Sequence, residues 1–111
     1  MCDNAMLMKT CRPIAEGTEP ISGHELDHLL SHTAGWEIED GALTKIFLFE
    51  DHYQTMAFVN AVAWVSHRED HHPEMLVGYD TCLVSYTTHT IGGVSENDFI
   101  CAANVDHLVG D

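Results

Sequence analysis

The chain has 111 residues, 45% of them apolar, which suits one domain with one buried core and argues against wholesale disorder. Four basic residues stand against eighteen acidic ones, for a net charge of −14. Lys9, Arg12, Lys45 and Arg68 are scattered, so no cationic patch exists to neutralise phosphate, and nucleic acid and membrane lipid are not expected as direct partners.

No apolar run reaches the roughly 18 residues a membrane span needs. The opening MCDNAMLMKTCRP lacks a basic stretch followed by an apolar one, so no secretory signal is read there. Cys2, Cys11, Cys82 and Cys101 form no CxxC pair, and reduced thiols in the cytoplasm are the expectation. Residues 1–20 read as a partly irregular leader, because Pro13, Gly17 and Pro20 interrupt any periodicity. Residues 21–111 read as the folded domain.

Ser22 with Glu25 has the form of a capping box, which predicts a helix carrying Leu26, Leu29 and Leu30 on its inner stripe and ending near Gly35. WEIED and ALTKIFLFE read as two strands joined by a tight turn at Asp40 and Gly41. In the second strand Phe47 and Phe49 share one face and Ile46 and Leu48 the other, the pattern of a central strand. Asp51 can cap a second helix over about 53–68. That helix is apolar nearly all round, so it needs a partner on more than one side, and a second subunit is the natural candidate.

Pro73 must lie beyond the helix end, since it disfavours helical geometry at His72. MLVGY and CLVSYTTH then read as strands. Cys82, Val84 and Tyr86 should face the helices, and Leu83, Ser85, Thr87 and His89 the open side. IGGV is a turn, and Ser95 with Asp98 opens a last helix running to about Val109. The expected fold class is α+β: a four-stranded antiparallel sheet with three helices packed on one face.

Nine histidines carry the candidate chemistry. His24, His28 and His32 repeat every four residues on the face opposite the leucines, which reads first as a solvated stripe, with a metal site as the sharper alternative. His67, His71 and His72 cluster at the end of the second helix, where a polar loop is the ordinary explanation. The spacing is neither HExxH nor that of a C2H2 finger. His89 stands just before a Gly-Gly turn, and Asp98 is by itself an ordinary helix cap.

Taken together, DHHPE, a strand ending in TTH, a glycine turn and VSENDF opening a helix closely resemble the pterin-4a-carbinolamine dehydratase family. Gly35 with Trp36, the FLFED run from Phe47 to Asp51, and the apolar helix with Phe58 and Val62 extend the resemblance from about Ser22 to the C-terminus. The resemblance implies dehydration of a 4a-hydroxytetrahydropterin to quinonoid dihydropterin and water, as part of tetrahydrobiopterin recycling, with no metal and no organic cofactor.

Imidazole suits that chemistry, since its unperturbed pKa of about 6.5 makes both acid and base forms available near neutrality. Carried over position by position, the resemblance implies His71, His72 and His89 as catalytic, with His71 and His89 moving protons and His72 holding the pterin. His67, Met75 and Asp98 would border or support the substrate, and Asp98 could orient His89. Two departures stand out. His67 occupies a position where many relatives carry a carboxylate, and Met75 one where many carry an aromatic ring. The resemblance also implies self-association to a dimer or tetramer through the 53–68 helix and a sheet edge. Animal relatives partner a transcription factor, which would add the nucleus to the cytoplasm as a location. A histidine-rich metal-binding protein is the remaining alternative.

Overall fold

The computed structural model describes residues 4–110, so Cys2 lies outside the described residues. In chain order it runs α1 (Asn4–Leu7), α2 (Gly23–Ser31), β1 (Glu37–Glu39), β2 (Ala42–Leu48), α3 (His52–Glu69), β3 (Glu74–Val77), β4 (Thr81–Tyr86), a 3₁₀ turn (His89–Ile91) and α4 (Glu96–Leu108). The four strands form one antiparallel sheet in the order β1-β2-β4-β3, the α+β arrangement expected from the pattern.

The β1–β2 hairpin turns at Asp40 and Gly41, with φ of 51° and 78°. Two successive positive φ values match the right-handed twist of the flanking strands, and Asp followed by Gly is a pair that tolerates them. The turn sets the register Glu39↔Ala42, and β2 then pairs with β4 from Leu43↔Tyr86 to Leu48↔Thr81. In that register Leu43 and Phe47 of β2 lie on the same side as Cys82, Val84 and Tyr86 of β4, and all five are buried. The opposite face is open: Ile46 is 55% and Leu48 73% exposed. The apolar character of that face is therefore left uncovered within one chain.

On the covered face, α3 contributes Phe58, Val62 and Val65, and α4 contributes Phe99, Ile100, Ala102, Ala103 and Val105. Leu26, Leu29 and Leu30 of α2 pack on the edge of this core. Fully buried Asp106 accepts from Trp36 Nε1 and from Lys45 Nζ, each at 2.9 Å, which ties α4 to β2 and to the start of β1.

Asp51 caps α3 as expected, accepting from the backbone N–H of Gln54 at 2.9 Å. The helix α2 departs from expectation at both ends. Ser22 is its N-cap by backbone geometry, but its side chain makes no capping bond. The helix also stops at Ser31, before Gly35, where the Thr33 hydroxyl donates to the Leu29 carbonyl at 2.5 Å. Gly35, at φ 88°, instead turns the chain into Trp36.

The leader is not a free arm. Met6 is buried in the core, and Leu7 and Cys11 pack against it. Gly93 makes room for its far end: a Cβ there would lie 2.8 Å from Pro20 Cβ.

Candidate functional site

The end of α3 decides where His71 points. Asp70 adopts the left-handed conformation, φ 53° and ψ 43°, and its N–H donates to the Ser66 and His67 carbonyls. His71 N–H donates to the Ser66 carbonyl at 3.1 Å. This closure satisfies carbonyls that would otherwise be orphaned at the helix end. It also folds His71 back under the helix while Pro73 leads the chain away into β3.

The imidazole meets a prepared partner. His71 Nε2 lies 2.5 Å from Asp98 Oδ1, with side-chain exposures of 13% and 0%. Asp98 Oδ2 accepts from the Thr88 hydroxyl and from the Ser95 N–H, both at 2.8 Å. The Ser95–Asp98 capping box forms as the sequence predicts, and the same carboxylate that caps α4 grips His71. With three donors converging on it, Asp98 is an acceptor, so His71 Nε2 carries a proton toward it, and in the neutral imidazole the lone pair then belongs to Nδ1.

The Tyr86 ring forms the wall behind this imidazole. Burial pushes its phenol well above the ordinary range, and the phenol oxygen lies 3.2 Å from Ser66 Oγ. Tyr86 is thus a neutral surface at any physiological pH. Nothing in the sequence marks Tyr86 as functional. Thr88 alone carries a signal, as part of the TTH motif.

His89 does not sit on a strand. β4 ends at Tyr86, and His89 opens the 3₁₀ turn closed by Gly92 at φ 69°. Thr88 bridges to Gly93, its N–H donating to the Gly93 carbonyl at 2.9 Å, and this pins the base of the turn. His89 lines a cavity of about 490 Å³ on the open face of the sheet, with Glu39, Thr44, Glu74 and Ser85. His71 lines a second cavity of about 250 Å³ together with Thr88 and Thr90, the two neighbours of His89. The two cavities therefore border the same turn. Among the described residues Asp98 is bonded to His71 and not to His89: its two oxygens are taken by the His71 ring, the Thr88 hydroxyl and the Ser95 N–H.

His67, His72 and His89 are exposed and make no side-chain hydrogen bond among the described residues. Met75 pairs with Val84 and leans on the core face of the sheet. Fully buried Asp98 stands behind His71, out of reach of a ligand. His24, His28 and His32 are exposed, the last two with ring centroids 4.7 Å apart. No group of three or more metal-ligating side chains occurs among the described residues. No helix among them is long and apolar enough to cross a membrane.

A buried carboxylate that fixes one nitrogen of an imidazole on a cavity wall is an arrangement able to carry acid–base chemistry, here on an α+β scaffold. The chain belongs to the pterin 4 alpha carbinolamine dehydratase family, whose model matches residues 19–108. It is 54% identical to a protein of Nitrosomonas eutropha over 110 residues, covering 98% of this chain and 96% of that one. It is 55% identical to a protein of Nitrosospira multiformis over 100 residues, covering 90% and 88%. Both relatives are named as candidate pterin-4-alpha-carbinolamine dehydratases. Among solved structures, the crystal structure of a transcriptional coactivator/pterin dehydratase from Brucella melitensis superposes with a TM-score of 0.79 at 29% identity, covering 83% of this chain and all of that one. A pterin dehydratase-like protein identified as a RuBisCO assembly factor in the alpha-carboxysome gives a TM-score of 0.58 at 28% identity, covering 68% of this chain and 88% of that one.

Proposed function

We propose that this protein dehydrates a 4a-hydroxytetrahydropterin to the quinonoid dihydropterin, in recycling of a tetrahydrobiopterin-type cofactor. The single observation that carries the reading is the 2.5 Å contact between His71 Nε2 and buried Asp98. In the reaction the C4a–O bond breaks, the N5–H bond breaks, and a C4a–N5 double bond forms. His71 Nδ1 takes the N5 proton, and Asp98 stabilises the imidazolium that results. His89, held at the Thr88–Gly93 turn, gives a proton to the departing hydroxyl, which leaves as water. His72 holds the pterin ring, and His67 and Met75 border it. Exchange with solvent resets both histidines.

The test is spectroscopic: the disappearance of 4a-hydroxytetrahydropterin is followed with and without the protein. A clear acceleration that survives prolonged chelation supports the reading, since every step is a proton transfer on a side chain. No acceleration over the spontaneous reaction overturns it.

Self-association is the second part of the proposal. Tyr53 is 83% and Trp64 63% exposed on α3, and Leu76 is 71% exposed on the edge strand β3. Large apolar side chains left in water on a helix and, on the opposite face of the sheet, on its edge strand favour a dimer or tetramer. The same α3 surface would serve a transcription-factor partner, a role in keeping with the Brucella melitensis protein, which is called a transcriptional coactivator as well as a pterin dehydratase. At a net charge of −14 such a role runs through protein contacts and not through DNA. The free thiols of Cys11, Cys82 and Cys101 fit a reducing cytoplasm.

A further inference from the structure

The leader residues before position 19 lie outside the region matched by the family model, yet they help to build the His71 cavity. Cys11 N–H donates to Glu69 Oε1 at 2.8 Å. Arg12 is then clamped by one side chain: its N–H donates to Asn97 Oδ1 at 3.1 Å, and its carbonyl accepts from Asn97 Nδ2 at 2.6 Å. Asn97 is buried, so this two-point clamp is shielded from competing water. It fixes the Arg12 backbone at the cavity wall beside His71, Thr88 and Thr90.

The Arg12 guanidinium is not used by the fold. Lys9 pairs with Glu96, Lys45 with Asp106 and Arg68 with Glu69. Arg12 is exposed and, among the described residues, is the one cation with no side-chain partner. Two carboxylates share the cavity wall with it. Glu69 is committed to the Cys11 N–H and to Arg68, while Asp70 presents its charge at the α3 terminus. A chain this acidic repels an anionic ligand except where a cation stands unpaired.

We propose that Arg12 is a specificity-determining residue whose guanidinium binds an anionic oxygen group, phosphate or carboxylate, on the side chain of the pterin. The fork of N–H donors matches either group in two-point fashion. Because Arg12 stands outside the family-wide region, it selects among pterins and takes no part in the shared proton transfers. The inference rests on the dehydratase reading for the identity of the ring, and binding and turnover separate the two.

The experiment measures binding by pterin fluorescence for three oxidised pterins: one with a neutral hydroxylated side chain, its phosphate ester, and an analogue ending in a carboxylate. Wild-type protein should prefer one or both anionic forms by roughly five- to tenfold, as charge-assisted bonds at an exposed rim allow. Arg12→Gln should erase that preference and leave the neutral pterin within about twofold, and Arg12→Lys should restore part of it. The arm that shows the preference identifies phosphate or carboxylate. Added salt should shrink the difference between wild type and Arg12→Gln. Equal wild-type binding of all three pterins overturns the inference, as does a preference that survives in Arg12→Gln or an equal loss on neutral and anionic forms. Turnover on the same samples judges the dehydratase reading alone: an inactive protein that keeps an Arg12-dependent anion preference refutes that reading and leaves this inference standing.

Discussion

The rings of His71 and Tyr86 lie nearly parallel, with 5.8 Å between centroids and 11° between planes. Together with Asp98 at the ring edge, this leaves the imidazole one orientation. Asp98→Asn keeps the shape but offers Nε2 an ambiguous partner, so the tautomer that presents a free Nδ1 is no longer enforced. The expected result is a fall in kcat of about 100- to 10,000-fold, with a smaller change in KM. Steady-state dehydration rates beside a circular dichroism spectrum check it. A folded variant at wild-type rate would remove Asp98 from the mechanism.

The histidines should separate by role. His71→Ala and His89→Ala should each slow dehydration by roughly 100- to 10,000-fold if each moves a proton. The double variant should lose less than the product of the two, because groups acting on one transition state are not additive. His67→Ala should act mainly on KM. His28→Ala should leave the rate unchanged, since its exposed ring meets that of His32 edge to face, away from the His71 site. Parallel assays of the five proteins against wild type decide the matter, and wild-type rates in both His71→Ala and His89→Ala would sink the assignment.

The leader should loosen in acid through Glu69. Burial alone would raise the Glu69 pKa, but the Cys11 N–H and the Arg68 guanidinium outweigh it and hold it below the ordinary 4.5. A carboxylate with a lowered folded pKa contributes stability that is complete above its unfolded pKa and is lost as pH falls through the folded value. Glu69→Gln should therefore be less stable than wild type by on the order of 1–2 kcal/mol at neutral pH. The gap should close as pH drops below about 4.5. Hydrogen exchange at the Cys11 amide reports the same change locally. A gap that persists unchanged in acid would show that packing, not charge, anchors the segment.

Neighbouring positions on α3 should respond in opposite ways. Val62 is fully buried in the core of one chain, so Val62→Glu should unfold it and cannot report on assembly. Trp64 is the better probe: it is exposed, with the Arg68 guanidinium 5.1 Å from its ring centroid. Trp64→Glu should leave folding intact and shift the protein to a smaller species in sedimentation velocity. A wild-type monomer at micromolar concentration would dispose of the self-association proposal outright.

Local geometry and family membership were legible in the order of the residues. Asp40 with Gly41 dictated a turn, the alternation Cys82, Val84, Tyr86 dictated the buried face of β4, and Asp51 and Ser95 marked helix starts. Each depends on residues close along the chain, where propensity and period suffice. Tertiary structure decided which of two similar capping patterns would form. Ser22 is exposed and water competes for its hydroxyl, whereas Ser95 is buried against Thr88 and Asp98 and has no such alternative. It also decided that Asp98 serves His71, 27 residues away, and not His89, because the left-handed turn at Asp70 brings that ring under α3. The placement of Arg12 was the least legible of all. An irregular segment has no period, and its position follows from Asn97, 85 residues further along, so only the packed chain could bring them together.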